Sequence, residues 1–270
     1  MKTEKITLTN FNGRKFDIHT YMLTNIPNLH QDKKPLVIVI PGGSFNHLSA
    51  RESEPVALSY NSHGYNSVVM EYNLVQDPGK IYPDAGLDVL TTIKYFRDNS
   101  EQYNIDPDKI ITIGFSAGGH VASTANTMAN MEKYSDKYQF NPKEVRPNAT
   151  MLGYPLINID QLGFEIPDDQ KDNLPSESEL RDSALGVTRE TPATFIFQAW
   201  DDPIVLISNS IEYIRALYAN QVSCETHLFN HGGHGFSLAR PETSEKDYQN
   251  NPHVAHWFDL SLEWLNNIFE

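Results

Sequence analysis

Apolar residues along this chain fall into two alternating patterns. In the first, short runs are apolar with little interruption, which predicts strands. Runs that are apolar on both faces are typical of strands covered by helices on both sides of a sheet. The predicted strands are residues 36–40, 66–72, 110–113, 150–153, 194–199 and 224–229, of which 150–153 is the weakest run.

In the second pattern, apolar positions recur at the spacing of a helix. It predicts helices around residues 87–96, 121–131 and 207–220, and in the C-terminal segment that carries Trp257 and Trp264. We expect both tryptophans to be core anchors. Strands that alternate with helices predict the α/β class, with a mostly parallel sheet and helices on both of its faces.

Two regions depart from this alternation. Residues 5–9 and 16–23 are β-like and flank Asn12-Gly13, a pair that favours positive φ at both turn positions, so a hairpin is predicted. Residues 154–191 are rich in Asp, Glu, Asn and Pro and have weak periodicity. A loop of that length is usually functional or mobile. We therefore expect a lid-like insertion that covers part of the active site within one domain of residues 1–270.

Composition narrows the function further. The chain has 270 residues and a formal net charge of −14, and this acidic surface disfavours nucleic acid and membranes as partners. The single cysteine, Cys224, supplies neither an internal disulfide nor a metal cluster. With neither an apolar leader nor a long apolar stretch, a cytoplasmic protein is the expectation. The sequence leaves open whether the chain forms a homo-oligomer.

The most informative motif is Gly-x-Ser-x-Gly at residues 114–118, between a predicted strand and a helix-compatible stretch. In this motif the serine lies on a sharp turn that exposes its hydroxyl, and the flanking glycines let the strand and helix backbones approach. The helix N-terminus favours the negative charge that develops on the substrate. Ser116 is therefore the predicted nucleophile.

A serine nucleophile needs a base and a carboxylate that orients the base. After such an elbow the acid and then the histidine follow in chain order. The predicted strand 194–199 leads to Asp201 and Asp202, and Asp202 is favoured because the following Pro203 fixes a turn. Asp201 stays a rival, with a turn-capping or solvent-facing role as its alternative.

The predicted strand 224–229 leads to two histidines, His231 and His234. His234 is favoured as the base because glycines on both sides allow a tight turn, and His231 stays the alternative. His120 lies one turn into the helix after Ser116, and we expect it to point away from the serine hydroxyl.

A glycine-rich turn, Pro41-Gly42-Gly43-Ser44-Phe45, follows the predicted strand 36–40. Hydrolases with this elbow place backbone N–H donors of the oxyanion hole in such a turn. We assign Gly43, Ser44 and Ala117 as the donors, with Gly42 allowing the turn. No cofactor or metal is implied.

Together these motifs resemble those of α/β-hydrolase esterases related to hormone-sensitive lipase and, more closely, of small acetyl esterases that include acetylxylan-esterase-like members. The resemblance covers about residues 35–270. The further matching segments are Tyr72-Asn73-Leu74, Tyr82-Pro83 with Asp88, 105–110, 202–205 and 233–236.

The resemblance implies an α/β-hydrolase fold with a central sheet of about eight strands. The chain departs from the family pattern at three positions: Pro41 replaces a histidine, Ser44 a glycine, and Asn73 an arginine. The change at Asn73 is expected to remove a structural ion pair.

By resemblance, the chain is expected to be a serine carboxylesterase that acts on acetyl or similarly short esters of sugars or small alcohols. Two alternatives are an amidase or peptidase on the same fold, and a hydrolase-like binding protein without catalysis. The first lacks support from an added domain. The second conflicts with the presence of all three candidate residues, Ser116, Asp202 and His234.

Overall fold

A computed structural model describes residues 1–25, 33–163 and 171–270. Within these residues one sheet of eight strands has the order β1-β2-β4-β3-β5-β6-β7-β8. The strands are β1 (Lys2–Thr9), β2 (Lys15–Met22), β3 (Lys34–Ile40), β4 (Asn66–Glu71), β5 (Ile105–Phe115), β6 (Ala149–Gly153), β7 (Ala193–Ala199) and β8 (Cys224–Phe229). The first two are antiparallel to their neighbours, and β3 to β8 are parallel. The predicted mostly parallel sheet is confirmed.

Helices cover both faces of this sheet. Those of the described residues are Glu54–Asn61, Asp84–Asp98, Ser100–Tyr103, Ala117–Asn130, Glu132–Tyr138, Pro142–Val145, Ser178–Arg181, Ser208–Ala219 and His256–Phe269. Short 3₁₀ turns lie at Ala50–Glu52, Ser183–Gly186, Pro241–Thr243 and Asp247–Gln249. All four helices expected from the periodicity are present, with ends that differ by a few residues.

The sheet separates two hydrophobic cores. Alternate residues of β3 face opposite layers, since Ile38 packs in one core with Leu87 of the helix Asp84–Asp98. Its neighbour Val39 packs in the other core with Trp257. Because successive strand residues point to opposite faces, an uninterrupted apolar run serves both layers. Trp257 and Trp264 are both buried, as core anchors should be.

The N-terminal hairpin forms as predicted, but Asn12 lacks the positive φ that the Asn12-Gly13 pair favours. Only Gly13 of that pair has positive φ, at 84°. Residues 10–14 form the connection, in which the Asn10 N–H donates to Arg14 O at 2.8 Å. The Asn10 side-chain oxygen accepts from the N–H groups of Asn12 and Arg14. The Asn10 side chain thus closes the loop of residues 10–14, in which Asn12 keeps an ordinary backbone conformation.

An ion pair joins the N-terminal hairpin to a buried carboxylate beside Asn73. Arg14 donates to the buried Asp88 at 2.7 Å, and the Asn73 N–H donates to the same carboxylate at 3.1 Å. Burial raises the pKa of Asp88 to about 7, against the opposing effect of Arg14 and of hydrogen bonds from Asn10 and Asn73. The cation beside the Asp88 carboxylate therefore comes from the hairpin loop, 74 positions away in the sequence.

The described part of region 154–191 packs along the helix Ala117–Asn130. The Leu156 N–H donates to Ser116 O at 3.0 Å, and the hydroxyls of Ser183 and Ser123 lie 2.7 Å apart. Residues 164–170 of this region lie outside the described residues. The lid-like role and the single-domain boundary stay predictions. None of the described helices has the length and apolar character needed to cross a membrane.

Candidate active site

Ser116 lies at the junction between β5 and the helix Ala117–Asn130, with φ of 51°. Its N–H donates to Gly153 O at 3.0 Å, which ties the turn to β6. The flanking glycines are required by space. A Cβ on Gly114 would lie 2.3 Å from Gly118 O, and one on Gly118 would lie 2.1 Å from Ile40 O. The sharp turn therefore needs small residues on both sides of Ser116.

His234 and Asp202 lie beside this serine, although both are distant from it in the sequence. The Ser116 Oγ lies 2.9 Å from His234 Nε2, and His234 Nδ1 lies 2.7 Å from Asp202 Oδ2. The Asp202 side chain is fully buried, and that of His234 is 16% exposed. If Nδ1 carries the proton that it donates to the carboxylate, Nε2 is free to accept the hydroxyl proton of Ser116.

The turn after β7 fixes the Asp202 carboxylate. Its Oδ1 accepts from the N–H groups of Ile204 at 2.9 Å and Val205 at 3.0 Å. Gln198 lies 3.4 Å from Oδ2, the oxygen that also faces His234. With one oxygen held by the backbone, the other is directed at the imidazole. Pro203 lies within this turn, as the sequence analysis expected.

Asp201 contacts residues 230–237, named the base loop after the predicted role of His234, at a different place. Its Oδ1 accepts from the N–H groups of Gly232 and Gly233 at 3.0 Å each, and its Oδ2 lies 3.1 Å from His231 Nδ1. Partial burial raises the pKa of Asp201, but the hydrogen bonds from Gly233, His231 and Gly232 outweigh it and hold the pKa below its ordinary value. Neither Asp201 nor His231 is bonded to Ser116.

Residues 41–47, named the oxyanion loop after their predicted role, pack directly against Ser116. A Cβ on Gly42 would lie 3.0 Å from the Ser116 Cβ, and one on Gly43 would lie 2.0 Å from His47 O. Gly43, Ser44 and Phe45 all have positive φ. The structure gives no hydrogen-bond acceptor among the described residues to the N–H groups of Gly43, Ser44 and Ala117. The Gly42 N–H is occupied, because it donates to Glu52 Oε2 at 2.8 Å.

Glu52 and Tyr154 are site residues that the sequence analysis missed. The Tyr154 hydroxyl donates to Glu52 Oε1 at 2.6 Å, and the tyrosine ring packs edge-on to the His234 ring. Burial and the neighbouring Glu52 raise the pKa of Tyr154 well above 10, so the phenol keeps its proton. Neither residue lies in a recognisable motif. The one local signal is that Tyr154 directly follows β6, at the carboxyl edge of the sheet.

His120 is buried and its ring is bonded away from Ser116, as expected. Its Nδ1 lies 2.6 Å from the Tyr82 hydroxyl, and its Nε2 lies 3.3 Å from Arg181 O. Burial lowers the pKa of His120 to about 4. The residue therefore stays neutral near pH 7 and fastens the elbow helix to the segment around Arg181.

An open cavity of about 680 Å³ lies beside His234. Polar side chains of Asp201, His231 and Asn250 line it together with Ile204 and the ring of Tyr248. Among residues 1–25, 33–163 and 171–270, His, Cys, Asp and Glu side chains form no group of three or more that could hold a metal ion.

Comparison with known proteins decides the family. A family model described as BD-FAE matches residues 24–217, well over half of the chain. The chain belongs to the BD-FAE family. The match includes the oxyanion loop, the elbow at Ser116 and the turn at Asp202, and it ends before His234.

Curated relatives of this BD-FAE chain include an acetylxylan esterase of Xylanibacter ruminicola and an endo-1,4-beta-xylanase B of Butyrivibrio fibrisolvens. The first is 29% identical over 75% of this chain and 41% of the relative, and the second 27% identical over 80% of this chain and 36% of the relative. The chain therefore spans less than half the length of either protein. The predicted resemblance to acetyl esterases is confirmed.

Solved structures match the BD-FAE chain over almost its whole length. A carboxylesterase, Cest-2923 from Lactobacillus plantarum WCFS1, has a TM-score of 0.92 at 31% identity and covers 99% of this chain and 98% of its own. An acetyl ester-xyloside bifunctional hydrolase from Caldicellulosiruptor lactoaceticus has a TM-score of 0.75 at 32% identity, covering 94% and 88%. The predicted α/β-hydrolase fold is confirmed, and it includes the N-terminal hairpin that lay outside the sequence resemblance.

Proposed function

We propose that this protein is a serine carboxylesterase that hydrolyses short acyl esters through an acyl-enzyme on Ser116. The observation that carries the proposal is the continuous chain of contacts from Ser116 Oγ to His234 at 2.9 Å and from His234 to Asp202 at 2.7 Å. Each residue type suits its role, since the hydroxyl needs a base and the imidazole needs a buried carboxylate to orient it.

The proposed reaction has two halves. In acylation, His234 Nε2 takes the proton of Ser116 as Oγ attacks the ester carbonyl, and the carbonyl oxygen becomes an oxyanion. The N–H groups of Gly43, Ser44 and Ala117 are the proposed donors to that oxyanion, because these three groups have no acceptor among the described residues. When the tetrahedral intermediate collapses, the bond to the alcohol breaks and His234 gives its proton to the leaving oxygen.

In deacylation, water takes the place of the alcohol. His234 removes a proton from the water, the hydroxide attacks the acyl carbon, and the bond to Ser116 Oγ breaks. The imidazolium returns its proton to Oγ, so the carboxylic acid leaves and the enzyme is restored. Asp202 keeps its contact with Nδ1 and stabilises the imidazolium at His234.

For the substrate, we propose acetyl esters of sugars or oligosaccharides. Two observations support this class: the relatives include an acetylxylan esterase and an acetyl ester-xyloside hydrolase, and a cavity with polar side chains borders His234. His234 is the residue that protonates the departing alcohol. A hydroxyl-rich alcohol would therefore lie near groups that can hydrogen-bond to it.

A kinetic panel of p-nitrophenyl esters from acetate to octanoate, run beside acetylated xylose, tests the proposal. We expect kcat/KM to be highest for acetate and acetylated xylose to be hydrolysed. Fluorophosphonate should label Ser116 in the wild type but not in Ser116→Ala. Unaltered turnover in folded Ser116→Ala would contradict the catalytic role, whereas a preference for octanoate would contradict only the acyl class.

A further inference from the structure

Glu52 is a buried carboxylate between two parts of the candidate active site. The residue is 3% exposed. Its Oε2 accepts from the N–H of Gly42 in the oxyanion loop at 2.8 Å, and its Oε1 accepts from the Tyr154 hydroxyl at 2.6 Å. The two oxygens of one side chain therefore join the oxyanion loop to the residue that follows β6.

Tyr154 extends this connection to the base loop. Its hydroxyl accepts from the Ser237 N–H at 3.0 Å, and its ring centroid lies 5.1 Å from that of His234 and 4.6 Å from that of Phe236. The Tyr154 backbone has φ of 35° and its N–H donates to Phe197 O at 2.7 Å. The backbone of Tyr154 is thus hydrogen-bonded to β7, and its hydroxyl and ring both contact the base loop.

The segment that carries Glu52 binds the base loop a second time. Arg51 donates from Nη1 to Gly235 O at 2.8 Å, and Arg51 O accepts from the Ser237 hydroxyl at 2.6 Å. The oxyanion loop and the base loop are therefore both fastened to residues 51–52. Neither loop lies in a strand or helix, so these contacts set their relative position.

Burying the Glu52 carboxylate to connect the two loops costs free energy. No ion pair with Glu52 is found among the described residues, and its two named donors are a peptide N–H and a phenol. Removing a charge from water without a partner cation is costly, and an apolar side chain would avoid that cost. An apolar side chain would leave both the Gly42 N–H and the Tyr154 hydroxyl without an acceptor, whereas the two oxygens of the carboxylate accept from both.

We propose that Glu52 and Tyr154 are positioning residues that hold the oxyanion loop and the His234 loop at the spacing the transition state requires. The proposal rests on the esterase function proposed above. Glu52 fixes the peptide before the proposed donors Gly43 and Ser44, and Tyr154 fixes the ring of the proposed base. A small misplacement of these groups lowers the rate of the chemical step while ground-state substrate binding changes little.

Tyr154→Phe removes only the hydroxyl and keeps the ring contacts with His234 and Phe236. We expect kcat to fall on the order of 10- to 100-fold for p-nitrophenyl acetate, with KM within about threefold of wild type. Inhibition by an alkylboronic acid, which forms a tetrahedral adduct on serine, should weaken by about the same factor as kcat/KM. A loss of stability alone would lower the melting temperature without these changes.

Tyr134 provides a matched control. Its hydroxyl donates to Glu179 Oε1 at 2.6 Å in a buried tyrosine–glutamate pair that also includes Lys133, outside the proposed catalytic groups. Tyr134→Phe should lower the melting temperature and leave kcat and boronate affinity at wild-type values. Wild-type kcat in Tyr154→Phe, with stability reduced as in Tyr134→Phe, would overturn the proposal.

Glu52→Gln tests the same contact from the other side and decides the matter if Tyr154→Phe does not fold. The amide can accept from Gly42, but its N–H group would face the Tyr154 hydroxyl, which then loses its acceptor. We expect about a tenfold loss of kcat with KM little changed. Equal activity of Glu52→Gln and wild type would contradict the proposal. Turnover by Ser116→Ala would instead contradict the esterase mechanism, so the two failures are distinguishable.

Discussion

Asp202 and Asp201 are neighbours in the chain, and each carboxylate contacts a histidine of the base loop. Asp202 lies 2.7 Å from His234, and the two side chains are 0% and 16% exposed. Asp201 lies 3.1 Å from His231, and those side chains are 43% and 76% exposed. The inner pair continues to Ser116, whereas the outer pair faces solvent.

The difference indicates what decides whether an aspartate–histidine pair can act on a serine hydroxyl. The pair must be buried, and the histidine must contact the serine on the side opposite the aspartate. Water screens the outer pair and competes for its hydrogen bonds, so its attraction is weak. The inner pair is shielded, which strengthens its hydrogen bond and fixes the ring for Ser116. Asp201 instead stabilises the loop itself, through the N–H groups of Gly232 and Gly233.

The largest expected effect separates the two histidines. His234→Ala removes the proposed base, and kcat should fall by about 10⁶-fold, the loss typical for the base of a serine triad. His231→Ala removes only an exposed partner and should leave kcat within about threefold of wild type. Turnover of p-nitrophenyl acetate measures both. A comparable collapse in His231→Ala would mean that the outer histidine is the base.

The second largest effect separates the two aspartates. Asp202→Asn should lower kcat by about 10⁴-fold, because an amide can donate to Nδ1 and favour the wrong imidazole tautomer. Asp201→Asn, the neighbouring control, keeps an oxygen for the two glycine N–H groups and should stay within about tenfold of wild type. The assignment of the acid would be reversed if Asp201→Asn were the less active variant.

A smaller effect is expected when Asp201 loses all its acceptors. Asp201→Ala leaves the N–H groups of Gly232 and Gly233 without their partner, which should loosen the base loop and lower kcat by about three- to tenfold. The melting temperature should fall as well. Steady-state kinetics and thermal unfolding of the same preparation check both, and an unchanged melting temperature would contradict a loop-fixing role.

The smallest effect concerns pH. Hydrogen bonds hold the pKa of Asp201 below its ordinary value of 3.8 in the folded protein. The unfolded chain therefore binds the proton more readily, and stability from this carboxylate is present above about pH 4 and lost as pH falls through the depressed pKa. The difference in melting temperature between wild type and Asp201→Asn should shrink as the pH is lowered below 4. A constant difference would show that the charge is not responsible.

Much of the fold can be predicted from short segments of the sequence. Apolar runs such as residues 36–40 place the strands, since their uninterrupted pattern fits a sheet covered on both faces. The elbow motif at Ser116 is also a local pattern, although only the need for Gly114 arises within the motif, since a Cβ on Gly118 would meet Ile40 O of β3. The turn at Asn12-Gly13 shows the limit of such patterns, since only Gly13 has the positive φ that the pair favours.

Other features depend on residues that meet only in the folded chain. Arg14 meets Asp88 across 74 positions, and Glu52 meets Tyr154 across 102 positions. No periodicity or short motif encodes such contacts, because the residues come together only when the strands pair in the sheet.

The sequence by itself determined the α/β-hydrolase fold, the position of the proposed nucleophile at its elbow and the short list of candidate acids and bases in chain order. Only the tertiary structure brought Asp202 and His234 beside Ser116 and left Asp201 with His231 at the surface. The physical reason is that burial and hydrogen-bond direction separate residues of identical chemistry. Both properties belong to the assembled loops rather than to the residues themselves.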